Sequence, residues 1–239
     1  MKNDVETTTW RSTPTPMPHG LRAPFEDRRA AGRFLATELA AMELDDPIVI
    51  ALPRGGVPVA REVADQLGAP LEIFGVRKLS HPDQPEFGFG AIAEDGTRMI
   101  DTGSARVLGL RNGEVDRITA DERAELRRRI DLYRDGRPAP DVRERTVVIV
   151  DDGVATGLTD AVAIRAIRRQ GARRIVLAVP VCSGGAIELL HDEADTVVTL
   201  RIPRHFRGVG DSYLDFSQVS DQEVIDALAG LAEPPAVAL

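Results

Sequence analysis

Every residue of TVVIV (146–150) is β-branched, and the run ends abruptly on Asp151 and Asp152. A strand with no polar face to offer water has to be covered on both sides, as the inner strands of a parallel sheet sandwiched between helices are. Downstream, GVATGLT (153–159) leads into DAVAIRAIRRQGA (160–172), whose helical periodicity is closed by Gly171. The same order of strand, glycine loop and helix appears at IVIAL (48–52), PRGG and VPVAREVADQL (57–67). LEIFGVRK (71–78), RRIVLAVPVCS and DTVVTLRIP read as further strands, with GGAIELLHDE as a helix between the last two.

Two more segments have helical spacing. FEDRRAAGRFLATELAAM (25–42) sets Phe25, Ala31, Phe34, Leu35, Leu39 and Met42 on one stripe, which predicts an amphipathic helix. Residues 114–134 carry only a partial stripe of Val115, Ile118, Leu126, Ile130 and Tyr133 among charges, which predicts a surface helix. Strands alternating with helices argue for an α/β fold with a central, mainly parallel sheet flanked by helices. Right-handed crossovers then bring the loops after the strands to one edge, where such folds bind ligands. No internal repeat or second domain boundary is visible in the 239 residues.

The opening MKNDVETTTWRSTPTPMPHG has no apolar core after its lysine, so it does not read as a secretory signal. Its Thr and Pro content predicts a disordered tail over residues 1–24, with a domain over 25–232 and a short C-terminal tail over 233–239. No apolar run reaches the roughly 20 residues that span a bilayer, which argues against a membrane protein. A net charge of −8 argues against broad adhesion to nucleic acid. Cys182 is the one cysteine, so no intrachain disulfide is available, which fits a reducing, cytoplasmic setting. It sits in an apolar strand and reads as a small buried residue. Lysine occurs only at positions 2 and 78, which singles out the surroundings of Lys78.

GVATGLT joins a strand to a helix, so the amides of the first helical turn are unpaired and carry the positive end of the dipole. That makes an anion cradle. Gly153 and Gly157 let the backbone approach an anion, and Thr156 and Thr159 add hydroxyls. A Walker loop would need Gly-Lys-Ser/Thr, which is absent. GFGAIA (88–93) matches a loose dinucleotide pattern, but EDGT follows where a helix should start. Paired acids at a strand end can serve merely to cap a helix. Set against an anion cradle, they read instead as part of a ligand site.

Strand, paired acids and Gly/Thr loop together resemble the 5-phosphoribosyl-1-pyrophosphate (PRPP) motif of type I phosphoribosyltransferases. The resemblance implies that family's Rossmann-like fold with a small hood and a flexible loop. It implies that Asp151 and Asp152 meet the ribose 2- and 3-hydroxyls and a Mg2+ ion through water. It also implies that the loop Gly153, Val154, Ala155, Thr156, Gly157 and Thr159 wraps the 5-phosphate. LPRGG (52–56) is similar to the family's pyrophosphate loop, with its often cis peptide, and implies roles for Arg54, Gly55 and Gly56. VRK (76–78) is similar to the basic pair that meets pyrophosphate, implying Arg77 and Lys78.

Residues 79–97, rich in Pro, Gly and acids, fall where the family has its flexible catalytic loop, and 203–218 where it has its hood. HFRGVGDSYLDF (205–216) offers Phe206, Val209, Tyr213 and Asp215 as acceptor-binding candidates, although its Val-Gly to Asp spacing is one residue longer than in 6-oxopurine enzymes. Phe206, Tyr213 and Phe216 read equally as local core. His81 and His205 read as exposed loop histidines, and His191 as structural. The order FEDRR, LPRGG, VRK, PEFGFGAIAEDG, VDDGVATG, YLDF most resembles a bacterial group of predicted phosphoribosyltransferases without an assigned acceptor. The implied activity is transfer of 5-phosphoribosyl from PRPP to an N or O nucleophile of a small molecule, with Mg2+, releasing pyrophosphate. A homodimer is compatible with it. A PRPP-binding regulator without transferase activity is the alternative.

Overall fold

The computed structural model describes residues 23–229. The first 22 positions of the expected N-terminal tail and the whole C-terminal tail lie outside the described residues. Helix α1 (Arg28–Ala40) starts where the Asp27 carboxylate accepts the Ala30 amide at 2.7 Å. Strand β1 (Pro47–Ala51), helix α2 (Gly56–Leu67) and strand β2 (Leu71–Ile73) follow. Three antiparallel strands come next, β3 (Val76–His81), β4 (Gln84–Ala93) and β5 (Arg98–Ile100), then α3 (Thr102–Val107) and the long α4 (Asn112–Arg134). The chain returns through β6 (Thr146–Val150), α5 (Leu158–Arg169), β7 (Arg174–Val181), α6 (Gly184–Glu193) and β8 (Thr196–Arg201). A 3-10 turn (Val209–Ser212) and α7 (Asp221–Ala229) complete it.

The main sheet has the order β2-β1-β6-β7-β8, and every pairing in it is parallel. β6 lies in the middle and is buried along its whole length, as its β-branched composition requires. Its residues alternate between two layers. Val148 and Val150 join Leu35, Leu39, Val59 and Val63 of α1 and α2, whereas Val147 and Ile149 join Ile164 and Ile167 of α5. α7 adds Val224 and Leu228 to the first layer.

LEIFGVRK is two strands rather than the single one expected. β2 belongs to the parallel sheet and β3 to the antiparallel one, and the chain crosses between them at Phe74-Gly75. A Cβ on Gly75 would stand 2.6 Å from Ile130 Cδ1 and 2.8 Å from Leu126 Cδ1, so glycine lets α4 press onto the crossover. Residues 79–97, read as a loop, are largely strand as well. Their glycines are close-approach sites within a sheet: a Cβ on Gly90 would meet the Met99 carbonyl at 2.4 Å, and one on Gly88 would meet Lys78 Cε at 2.5 Å. Leu79, Phe89, Ile92, Ala105 and Ile118 form a separate small core beneath α3 and α4. The helix expected over 25–42 is shorter at both ends. Phe25 is instead extended and bridges Tyr213, while Phe34 stays 48 % exposed.

Candidate active site

The acid pair leaves the carboxyl end of β6, and the loop after it is tied to the end of β7. Val154 gives its amide to the Val181 carbonyl at 2.9 Å and takes the Ser183 amide at 2.9 Å, with its side chain in the core. It is therefore a strut, and its amide is not available to an anion as expected from sequence. Gly157 adopts φ +79° and begins α5 with no side-chain cap, which leaves the first-turn amides open. Ala155 and Thr156 are exposed and Thr159 is half-buried. Gly153 is where the 203–218 segment, expected as a hood, rests on this loop, since a Cβ there would come within 2.5 Å of Val209 Cγ1.

The PRGG loop packs directly against the acids. Its Pro53-Arg54 peptide is cis. A Cβ on Gly55 would lie 2.0 Å from Asp152 Oδ2, and one on Gly56 would lie 2.6 Å from the Val150 carbonyl oxygen. Parallel pairing of β1 with β6, register Ala51 to Val150, produces this juxtaposition of two loops distant in sequence.

Asp151 Oδ1 accepts the Asp152 amide at 2.8 Å. Burial pushes the Asp151 carboxyl well above the usual range, and the negative charges of Asp152 and Asp160 push it further. Burial also raises Asp152, against the pull of Arg28. Arg28 Nε donates to Asp152 Oδ2 at 2.7 Å, and the Tyr213 hydroxyl donates to the Asp152 carbonyl at 2.5 Å. Asp160, beneath the loop, is 3 % exposed and is pushed up to about 7, first by burial and then by Asp152. Its Oδ1 is buried without a hydrogen-bond partner.

The basic residues are spread more widely than the sequence suggested. Arg54 Nη1 reaches Asp221 Oδ1 of α7 at 3.4 Å, and Asp221 also accepts the Tyr133 hydroxyl at 2.5 Å. Arg77 pairs with Glu122 of α4. As neighbours on β3, Arg77 and Lys78 lean to opposite faces, Arg77 toward α4 and Lys78 along Gly88. They do not form a side-by-side pair. Among the described residues, no group of three or more His, Cys, Asp and Glu is arranged as a metal cage.

The hood aromatics are largely occupied with one another. Tyr213 is 6 % exposed and stacks on Phe216 at 5.0 Å, while the Arg28 guanidinium lies 3.9 Å from the Phe216 ring centroid. Tyr213 is thus core, settling one side of the choice left open by sequence. Asp215 is exposed and accepts the Ser217 amide at 2.9 Å, a local turn. Phe206 instead lines a hollow of about 720 Å3 with Leu200, Ile202, Pro203 and His205.

Sequence reasoning missed Arg28, Glu122, Asp160 and Asp221. One signal was present for Arg28: α1 opens with Arg28-Arg29 and has no acid in its first turn, the wrong sign for a helix N-terminus.

A model described as phosphoribosyl transferase domain matches residues 27–217. The chain belongs to that family. A provisionally named phosphoribosyl transferase of Mycobacterium tuberculosis H37Rv, Rv0571c, is 44 % identical over 201 residues, covering 84 % of this chain and 45 % of its own length. Its counterpart in strain CDC 1551 matches identically. The chain therefore spans about half the length of these curated relatives. The crystal structure of TT1426 from Thermus thermophilus superposes with a TM-score of 0.71 at 43 % identity, covering 86 % of this chain and 97 % of that one. The phosphoribosyltransferase fold expected from the motifs is thus the fold observed. No helix among the described residues is long and apolar enough to cross a membrane.

Proposed function

We propose that this protein transfers the 5-phosphoribosyl group of PRPP to an N or O nucleophile of a small molecule and releases pyrophosphate. The observation that carries the proposal is the contact of two loops at one sheet edge: the β6–α5 loop, which brings the acid pair and the open N-terminus of α5, and the PRGG loop lying against Asp152. An anion cradle, two hydroxyl acceptors and a cationic loop suit the three parts of phosphoribosyl pyrophosphate.

In this reading Gly153, Ala155, Thr156, Gly157 and Thr159 hold the 5-phosphate, with Val154 fixing the loop from behind. Asp151 and Asp152 accept from the ribose hydroxyls and favour the oxocarbenium-like sugar as the bond from C1 to the pyrophosphate oxygen breaks. Arg54 and the backbone at Gly55 meet the departing pyrophosphate, with the Gly56 amide bracing the loop on the Leu52 carbonyl at 3.1 Å. Arg77 approaches from β3 beside Pro53, while Lys78, on the other face, would come in from the hairpin. The acceptor's lone pair forms the new bond to C1 from the opposite face, and the acceptor loses its proton. Mg2+ suits the donor set, since it keeps several waters and is commonly held by one or two carboxylates plus substrate phosphates. When bound, it would neutralise the pyrophosphate, with Asp151 and Asp152 as its contacts through water.

The β3–β4 hairpin is the segment proposed to close over the substrate. Phe206, Val209 and Asp215 remain the residues proposed to meet the acceptor. A nucleobase-like molecule or a specialised metabolite is the proposed acceptor class, in a cytoplasmic enzyme that could act as a homodimer. Incubation with PRPP and Mg2+ against a panel of nucleobases, amines and alcohols tests this, reading pyrophosphate and the phosphoribosylated product by mass spectrometry. Product with any acceptor supports transfer. Tight PRPP binding with no product across the panel would favour the regulator.

A further inference from the structure

We propose that Arg28 is a positioning residue that sets Asp152 for the ribose hydroxyls and makes that setting depend on the docked hood. The inference rests on the PRPP reading of the site.

Arg28 sits in the first turn of α1, where a cation meets the positive end of the helix dipole. What offsets this is a set of three contacts made by one planar group. Nε donates to Asp152 Oδ2 at 2.7 Å, Nη1 donates to the Ser217 carbonyl at 2.7 Å, and the guanidinium face covers the Phe216 ring at 3.9 Å. Its side chain is 11 % exposed and that of Asp152 is 14 %, so this is a largely desolvated ion pair rather than a surface one. Lysine could not reproduce the fork, because its ammonium is a point charge without the planar geometry.

The hood is stitched to the same segment. The Phe25 amide donates to the Ser212 carbonyl at 2.8 Å, and the amides of Leu214 and Asp215 donate to the carbonyls of Phe25 and Glu26 at 2.7 and 2.9 Å. Tyr213 then reaches the Asp152 carbonyl and Phe216 backs Arg28. Asp152 is therefore held from two directions, through its backbone carbonyl by Tyr213 of the hood and through its carboxylate by Arg28, which Phe216 of the hood backs. It has little room on the remaining side, where Gly55 lies against it. Without the guanidinium, a carboxylate next to Asp151 in a mostly buried site loses its counter-charge and its orientation together. The hydroxyl-accepting geometry should go with them. Binding at the hood and binding of the sugar would then be linked through this residue.

The test compares ribose 5-phosphate with its 2,3-dideoxy analogue by calorimetric titration into the wild-type chain, R28Q and R28K. Both ligands carry the phosphate, but only the first carries the hydroxyls that Asp152 would accept. In the wild type the first should bind about tenfold or more tighter, the scale of one hydrogen bond to a charged group. In R28Q that ratio should fall toward one while affinity for the dideoxy compound changes little. R28K should give an intermediate ratio. A wild-type ratio in R28Q or R28K overturns the proposal, as does tighter binding of ribose 5-phosphate once Arg28 is removed. An equal loss for both ligands would also overturn it, because it would mark general disruption. If R28Q does not fold, the R28K ratio alone decides. Failure of the wild type to bind ribose 5-phosphate and PRPP would refute the PRPP reading itself, a distinct result.

Discussion

Replacing Gly55 with alanine should disable the site while leaving the fold standing. Gly55 has φ −59° and ψ −36°, a conformation alanine adopts freely, so no backbone strain enters and the whole effect is steric. The added Cβ would lie 2.0 Å from Asp152 Oδ2 and 2.6 Å from its Cγ. Contacts under 3.0 Å are essentially never tolerated, so the oxygen must retreat by at least 1.0 Å, from 2.0 to 3.0 Å. That retreat breaks the 2.7 Å bond from Arg28, costing about 2 kcal/mol for a charged hydrogen bond. In a domain of this size the cost corresponds to a fall in Tm of roughly 4–8 °C. Activity should suffer more, because a 1 Å misplacement of a reacting constellation can cost about 100-fold. Gly56→Ala is the contrast: its Cβ would strike the Val150 carbonyl at 2.6 Å and Asp151 Cα at 2.9 Å, which are backbone atoms that cannot step aside. Its loss of stability should exceed that of Gly55→Ala. Thermal unfolding and pyrophosphate release, measured side by side, provide the assay. Full turnover in Gly55→Ala at an unchanged Tm would refute the reasoning, because Asp152 would then have to lie elsewhere.

Two further outcomes follow from buried charges. Asp160, with its carboxyl raised to about 7 from an ordinary value near 3.8, binds a proton more tightly folded than unfolded. Stability should therefore decline as pH rises through that interval, and D160N should be the more stable form at pH 8 but about equal to the wild type near pH 4, as urea unfolding across pH will show. Glu94 accepts from Arg134 at 2.6 Å and from the Gly75 amide at 2.7 Å, and Arg134 is 7 % exposed. E94A should cost about 3–5 kcal/mol in urea unfolding by stranding a buried guanidinium, and a cost below about 1 kcal/mol would show that the ion is solvated.

The main sheet was legible because its strands say one thing at every level. TVVIV is β-branched throughout and has to be covered on both faces, and alternating helices supply the cover. The antiparallel sheet was hidden because Gly88 and Gly90, read as loop punctuation, are instead the places where Lys78 and the Met99 carbonyl press on β4. Gly75 misled in the opposite way, passing for part of a strand while serving as the crossover under α4. At the site, Asp151, Asp152 and the Gly/Thr loop could be read locally, since they are consecutive. Their partners could not: Arg28, Asp221 and Glu122 come from three different helices and meet the motifs only through tertiary packing. The orientation of Tyr213 had the same obstacle, because its hydroxyl partner is a backbone carbonyl that no side-chain pattern announces.

In the proposed function, the acid pair and the loop after β6 together form a seat for phosphoribosyl pyrophosphate. Calorimetric titration of PRPP with Mg2+ into the wild-type chain and into the D151N/D152N double variant tests it most directly, with circular dichroism to verify that both are folded. Saturable one-site binding to the wild type is expected, with at least about 100-fold weaker binding to the folded double variant, since two charged hydrogen-bond acceptors are lost. Equal binding to both, or no binding to the wild type, would contradict it.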